Sequence, residues 1–155
     1  MNKLKNIYLW QEKKLANLHK AEGIVLFLAR FYLAKIFFLS GLTKIRDWDS
    51  TIFLFQEEYK VPLLQPELAA YMGTCGELLL PPLLLLGFLT RFSSIGLLFV
   101  NIVAAISLPD ITQAALNQHI LWGVLLMLVT VFGGGKIAVE YFTSNADPYD
   151  NHILK

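Results

Sequence analysis

The chain has 155 residues, 55% of them hydrophobic and 16% charged, with a net charge of +1 and a mean hydropathy of +0.53. That is more apolar side chain than one small soluble core can bury, which points to a membrane protein. The near-neutral balance argues against a nucleic-acid partner, and the lone cysteine, Cys75, excludes disulfide frameworks, Cys-x-x-Cys redox centres and cysteine-based zinc sites.

Residues 1–22 form a basic tail in which Leu4, Ile7, Tyr8, Leu15 and Leu18 recur at near-helical spacing beside Lys3, Lys5, Lys13, Lys14 and Lys20. Such a segment suits a cytoplasmic flank lying as an interfacial helix against anionic lipid. A span needs roughly 20 mostly apolar residues, and residues 23–43 supply the first, carrying Arg30 and Lys35. No small-residue cleavage site follows it, so it is expected to be retained as the first helix.

The connection 44–66 is long for so small a protein. Asp49 or Ser50 is placed to cap a short helix whose apolar residues Ile52, Phe53, Phe55 and Tyr59 share one side, and Val61-Pro62 ends it. A short interfacial helix lying as a lid on the outer surface is expected. Residues 68–90 form the second span, with Glu77 inside it and Pro81 and Pro82 one turn on. Neither proline can donate to the carbonyl four residues back, so a kink is expected beside the charge, while Gly73 and Gly76 allow another backbone to approach.

A few residues around Arg91 join this span to the third, 92–108, and force the two to be antiparallel neighbours. The outer connection 109–117 holds Asp110. The fourth span, 118–138, opens with His119 and Trp122 and runs into Gly133-Gly134-Gly135. The last segment, 139–155, is a polar tail, expected to be disordered over residues 144–150. The fold class is therefore all-α, a polytopic four-helix membrane bundle occupying residues 23–138, with no internal repeat.

Orientation follows from the basic residues, which are in excess in cytoplasmic loops. Eight lie on the side of the termini and Arg91, against Lys44, Arg46 and Lys60 on the other. Both termini are thus placed in the cytoplasm, as an even number of spans also requires.

A charge in bilayer hydrocarbon is costly unless paired or facing a cavity, so Glu77 calls for a basic partner. Counted from the outer helix ends at ~1.5 Å per residue, Lys35 lies ~12 Å deep, Glu77 ~13 Å and Arg30 ~20 Å. Depth favours Lys35. Arg30 and Lys35 point ~140° apart, so only one faces the interior, and Gly41 and Lys44 share the Arg30 face. Lys35 has two other outlets, snorkelling or contact with Asn101 midway along the third span.

A second polar cluster is expected at the outer mouth, where Lys44, Asp47, Trp48, Asp49, Asp110, His119 and Trp122 converge. Carboxylates, an imidazole and indoles around an apolar slot suit a quinone head group, with His119 as the proton or hydrogen-bond donor and Asp110 and Asp49 orienting it. The ordinary alternative is an interfacial belt of tryptophans and a histidine among lipid head groups. Gly133-Gly134-Gly135-Lys136 lacks phosphate-loop spacing, and no haem, flavin or zinc motif is present. The residues identify no cofactor beyond compatibility with quinone.

Arg30, Phe38-Leu39-Ser40-Gly41-Leu42-Thr43-Lys44-Ile45, Asp47-Trp48, Val61-Pro62, Glu77, Leu86-Gly87, Thr90-Arg91, Pro109-Asp110 and His119-Ile120-Leu121-Trp122-Gly123 together resemble the DoxX family of small bacterial inner-membrane proteins. The resemblance spans roughly residues 24–138. It implies a four-helix membrane fold and an association with redox systems, relatives including a subunit of thiosulfate:quinone oxidoreductase. The Asp-Trp-Asp and His-Ile-Leu-Trp segments further resemble a subgroup encoded beside copper-storage peptides and their iron-dependent modifying enzymes. It also implies Arg30, Gly41, Lys44, Glu77 and Arg91 as shared polar and turn residues, which shifts the expected partner of Glu77 from Lys35 to Arg30.

The sequence thus supports a quinone-linked inner-membrane component working with a partner protein. The competing reading is a non-catalytic scaffold or assembly factor for a partner enzyme or small peptide. Metal-ion handling by Asp47, Asp49, Asp110 and His119 is third. The sequence leaves enzymatic activity undecided and is compatible with a homo-oligomer.

Overall fold

The computed structural model describes residues 2–144, with side chains over residues 21–143. The side-chain face of the N-terminal tail and the polar run beyond residue 144 lie outside the described residues. Among the described residues six helices follow one another: α1 (Asn2–Arg46), α2 (Trp48–Glu57), α3 (Pro66–Leu86), α4 (Thr90–Ser107), α5 (Gln113–Phe132) and α6 (Val139–Ser144). Four are long and apolar enough to cross a bilayer: Ala21–Arg46 of α1, then α3, α4 and α5. The protein is an all-α, four-helix membrane bundle, and the N-terminal segment continues α1 without a break.

Each junction has a local cause. Asp47, not Asp49 or Ser50, caps α2, its carboxylate accepting from the Ser50 amide at 3.1 Å and the Ser50 hydroxyl at 2.7 Å. The Thr51 hydroxyl donates to the carbonyls of Lys44 and Asp47, which folds α2 back against the end of α1. α3 continues as helix through Pro81 and Pro82 and stops at Gly87, whose left-handed conformation (φ 71°) lets its amide return to Leu83 and Leu84. The turn that follows makes α3 and α4 antiparallel neighbours. Gly76 faces Val100 and Gly96 faces Leu80, where an added Cβ would stand 3.0 and 2.6 Å from their methyls, so glycine lets the two helices pack closely.

The helices form a closed ring, α1 against α3, α3 against α4, α4 against α5 and α5 against α1, with α2 resting on α3. Leu33, Phe37, Leu84, Leu97, Leu126 and Val129 fill the centre, while Phe55 of α2 packs on Ala69 and Ala70 as a second, smaller core. The ring leaves a wide apolar exterior, including Phe31, Phe38, Leu79, Phe99 and Val131. In water this would be an aggregation surface; around a bilayer-spanning bundle it is the lipid contact.

Candidate functional site

α1 and α3 pack tightly at Gly41, where an added Cβ would stand 2.9 Å from Leu78 and 3.1 Å from the Glu77 Cβ. That contact brings Glu77, 6% exposed, beneath the side chains leaving α1 one turn further on. Side chains lean toward the N-terminus of their own helix, so Lys44 reaches down to Glu77. Its ammonium donates to Glu77 Oε2 at 2.5 Å and to the Ser40 hydroxyl at 3.0 Å, and that hydroxyl donates to Glu77 Oε1 at 3.3 Å. The partner of Glu77 is therefore Lys44, which corrects the expected pairing with Arg30 or Lys35.

Depth does not decide the pairing because the outer helix ends are not level. Gly41 lies five residues before the end of α1 and meets Leu78, twelve residues into α3. The first turns of α3 accordingly rise past α1 and carry α2, with Trp48 packed at a tilt against Tyr71, ring centres 4.8 Å apart, and Phe55 edge-on to Tyr59 at 4.9 Å. Burial first, then the carboxylates of Glu58 and Glu77, hold the Tyr59 phenol above its ordinary value.

Arg30 is fully buried and serves the opposite end of α3. Its guanidinium donates to the carbonyls of Leu84 at 3.1 Å and Leu85 at 3.0 Å, and to Ile137 at 3.2 Å. The last carbonyls of a helix have no intrahelical donor and carry the negative end of its dipole. Arg30 supplies both needs and staples α3 to the segment entering α6. Lys35 is exposed on the bundle exterior and meets neither Glu77 nor Asn101.

Asn101 is committed elsewhere. It is 3% exposed on α4, its Nδ2 donating to the His119 carbonyl at 2.9 Å while its Oδ1 lies 2.9 Å from His119 Nδ1. The partly exposed imidazole stands edge-on to Trp122, ring centres 5.0 Å apart. Trp122 in turn meets Phe37 at 6.0 Å and donates from Nε1 to the Tyr32 hydroxyl at 3.4 Å. His119 and Asn101 each sit six residues from the same-side end of their helix, so the pair lies ~9 Å inside the helical layer.

The anticipated single mouth is thus two clusters, Lys44–Glu77 under α2 and His119–Trp122 between α1 and α5. Asp49 and Asp110 are exposed and hold no bond to His119, and Asp47 is spent on its cap. The orienting role expected of Asp49 and Asp110 falls instead to Asn101. Among the described residues no group of three His, Cys, Asp or Glu side chains is arranged to hold a metal ion, so the four expected metal ligands do not assemble.

The DoxX family model matches residues 25–110, more than half of the chain. The protein belongs to the DoxX family. A Haemophilus influenzae protein described as uncharacterized is 28% identical over 135 residues, covering 81% of this chain and 87% of its own. No solved structure matches the chain. Within this DoxX bundle, Gly41, Lys44 and Glu77 prove to be one contact, whereas Arg30 and Arg91 belong to the end near α6.

That end also holds a carboxylate the sequence reading passed over. Glu140 Oε2 accepts from the Thr90 amide at 3.2 Å and Oε1 from the Gly134 amide at 3.1 Å, capping α4 from fifty residues away. Leu89, the residue at the cap position, has no side chain that can do so. An open cleft of about 350 Å³ lies here between Gly133–Gly135 and Glu140, remote from His119. With both Glu140 oxygens bonded to amides, it reads as the seam where α6 docks. Glu140 lay in a segment whose polarity suggested a free tail, and only its spacing from Gly133-Gly134-Gly135 hinted otherwise.

Proposed function

We propose that this DoxX-family protein is a quinone-binding component of the bacterial inner membrane, with both termini in the cytoplasm, that works with a partner protein. One observation carries the reading: a part-exposed imidazole held by a buried amide, beside an indole and a phenol, at a depth where lipid-soluble carriers place their head groups. Quinone would reach His119 laterally from the bilayer, toward which Tyr32 and Ile120 are exposed. With one cysteine in the chain, no intramolecular dithiol can relay the electrons, so a partner supplies or takes them.

The test is binding of a short-chain ubiquinone analogue, in its oxidised and its reduced form, to the full chain in nanodiscs, followed by tryptophan fluorescence. His119→Ala is expected to change the affinity for at least one of the two forms by about tenfold, the worth of one hydrogen bond, and to lower the thermal midpoint modestly, because the buried Asn101 Oδ1 loses its partner. Affinities for both forms that are equal in the wild type and a folded His119→Ala remove this reading.

A scaffold role has its own support in Lys35. It is an exposed cation midway along an otherwise apolar face of α1, flanked by Phe31, Tyr32, Phe38 and Leu39. A bilayer-facing lysine that does not snorkel is met by an acidic group on another chain. If that reading holds, Lys35→Leu abolishes co-purification of the membrane partner while quinone binding persists.

A further inference from the structure

We infer that His119 meets its head group as a hydrogen-bond acceptor, so that the site selects the hydroquinone over the quinone. This rests on the quinone-site reading above and reverses the donor role expected from sequence. The His119 backbone carbonyl can only accept, so the Asn101 group facing it at 2.9 Å must be the NH₂. The amide oxygen then faces His119 Nδ1 at 2.9 Å, and because that oxygen can only accept, Nδ1 must carry the hydrogen. A neutral imidazole has one N–H, which leaves Nε2 with a bare lone pair.

This lock is built into the bundle. Asn101 is buried and cannot turn its amide without setting two oxygens against each other at the His119 carbonyl. Gly123, one turn on, packs against the amide, and a Cβ there would stand in contact with Asn101 Nδ2 at 3.4 Å. The carbonyl's second lone pair remains for the helix.

The Trp122 indole, edge-on to the imidazole, is committed through Nε1 to the Tyr32 hydroxyl. His119 therefore offers a head group an acceptor at Nε2. A hydroquinone satisfies it, with one hydroxyl donating to Nε2. A quinone has two carbonyl acceptors, and one of them would face the Nε2 lone pair unpaired. Should the bound hydroquinone ionise, its O–H bond breaks, an Nε2–H bond forms and the hydroquinone anion remains. The imidazolium keeps its Nδ1–H bond to Asn101, so nothing else need rearrange.

The test uses the full chain in nanodiscs with ¹⁵N-labelled histidine, His19 and His152 being replaced by Gln to leave one signal. At alkaline pH, long-range proton–nitrogen correlation is expected to show the Nδ1–H tautomer. The chemically reduced short-chain ubiquinone analogue should bind about tenfold more tightly than its oxidised form, as one satisfied against one unsatisfied hydrogen bond implies. Asn101→Leu, which frees the tautomer, should bring the two affinities to within about threefold. An Nε2–H tautomer in the wild type, equal affinities or a preference for the oxidised form overturns the inference while leaving a quinone site in place. Binding of neither form overturns the quinone-site reading and this inference together. The wild-type measurements decide the matter even where Asn101→Leu does not fold.

Discussion

Lys44 is one-fifth exposed and Glu77 less than one-tenth, so their contact is an ion pair with one end near the polar layer and the other among apolar side chains. Truncating either partner strands the other, and the loss is expected to be about 1–3 kcal/mol, below that of a fully sealed pair because Lys44 can retreat toward water. The double variant Lys44→Met with Glu77→Gln should recover part of the summed loss. Thermal unfolding in detergent of the two single variants and the double measures this coupling, and strictly additive losses would break the pairing. At this scale the sequence revealed which residues needed partners, because an ionisable group in an apolar run is visible in one dimension. It did not reveal who the partners were. Pairing depends on the axial offset between α1 and α3, which is set by how Gly41 meets Leu78 and how α2 seats on Ala69 and Ala70. Ser40 and Lys44 already lay one turn apart on the correct face; the missing quantity was the level of α3. His119 and Asn101 were both singled out, but their union required knowing that α4 and α5 adjoin at equal depth.

Among the elements, α2 and α4 begin in opposite ways. α2 carries its own cap: the hydroxyl and amide of Ser50 hold the Asp47 carboxyl below its ordinary value. A depressed carboxylate contributes stability that is complete above the ordinary aspartate range and is lost as pH falls through the depressed value. The Ser50 and Thr51 amides should therefore lose hydrogen-exchange protection on acidification below that range. Asp47→Asn, a competent cap without a charge, should keep protection at neutral pH and lose its pH dependence. Persistence of the full pH response in Asp47→Asn would assign it to another group. α4 borrows its cap from Glu140, and Glu140→Ala should cost about 1 kcal/mol, as an N-cap deletion does. The same change should free α6, measurable as faster proteolysis after residue 138, and an unchanged midpoint with unchanged proteolysis would deny Glu140 that role. α2 was legible because a local run of Asp, Ser and alternating apolar residues encodes it. The capping of α4 was not, since a cap supplied from fifty residues away leaves no local signal.

For the whole molecule, hydropathy made the four spans plain, and the short turn at Arg91 made α3 and α4 antiparallel, because both depend only on segment length and connection length. Orientation is a different kind of quantity, absent from the geometry of the bundle and carried by its charges. The α6 end gathers Arg91 and Lys136, with the lysines of residues 1–22 preceding the first crossing, whereas the α2 end has Lys44, Arg46 and Lys60. Lys44 is consumed by Glu77, which weakens the basic character of the α2 end further. The positive-inside bias therefore favours the α6 end in the cytoplasm. In a chain cleared of its native thiol by Cys75→Ala, a membrane-impermeant maleimide added from the periplasmic side should modify Asp49→Cys and Asp110→Cys, both exposed positions at the α2 end. The same reagent should miss Lys3→Cys and Asp150→Cys until the membrane is opened. Four crossings oblige the two terminal probes to behave alike, so labelling of both from the periplasm inverts the bundle. Labelling of only one would mean that one of the four apolar helices does not cross.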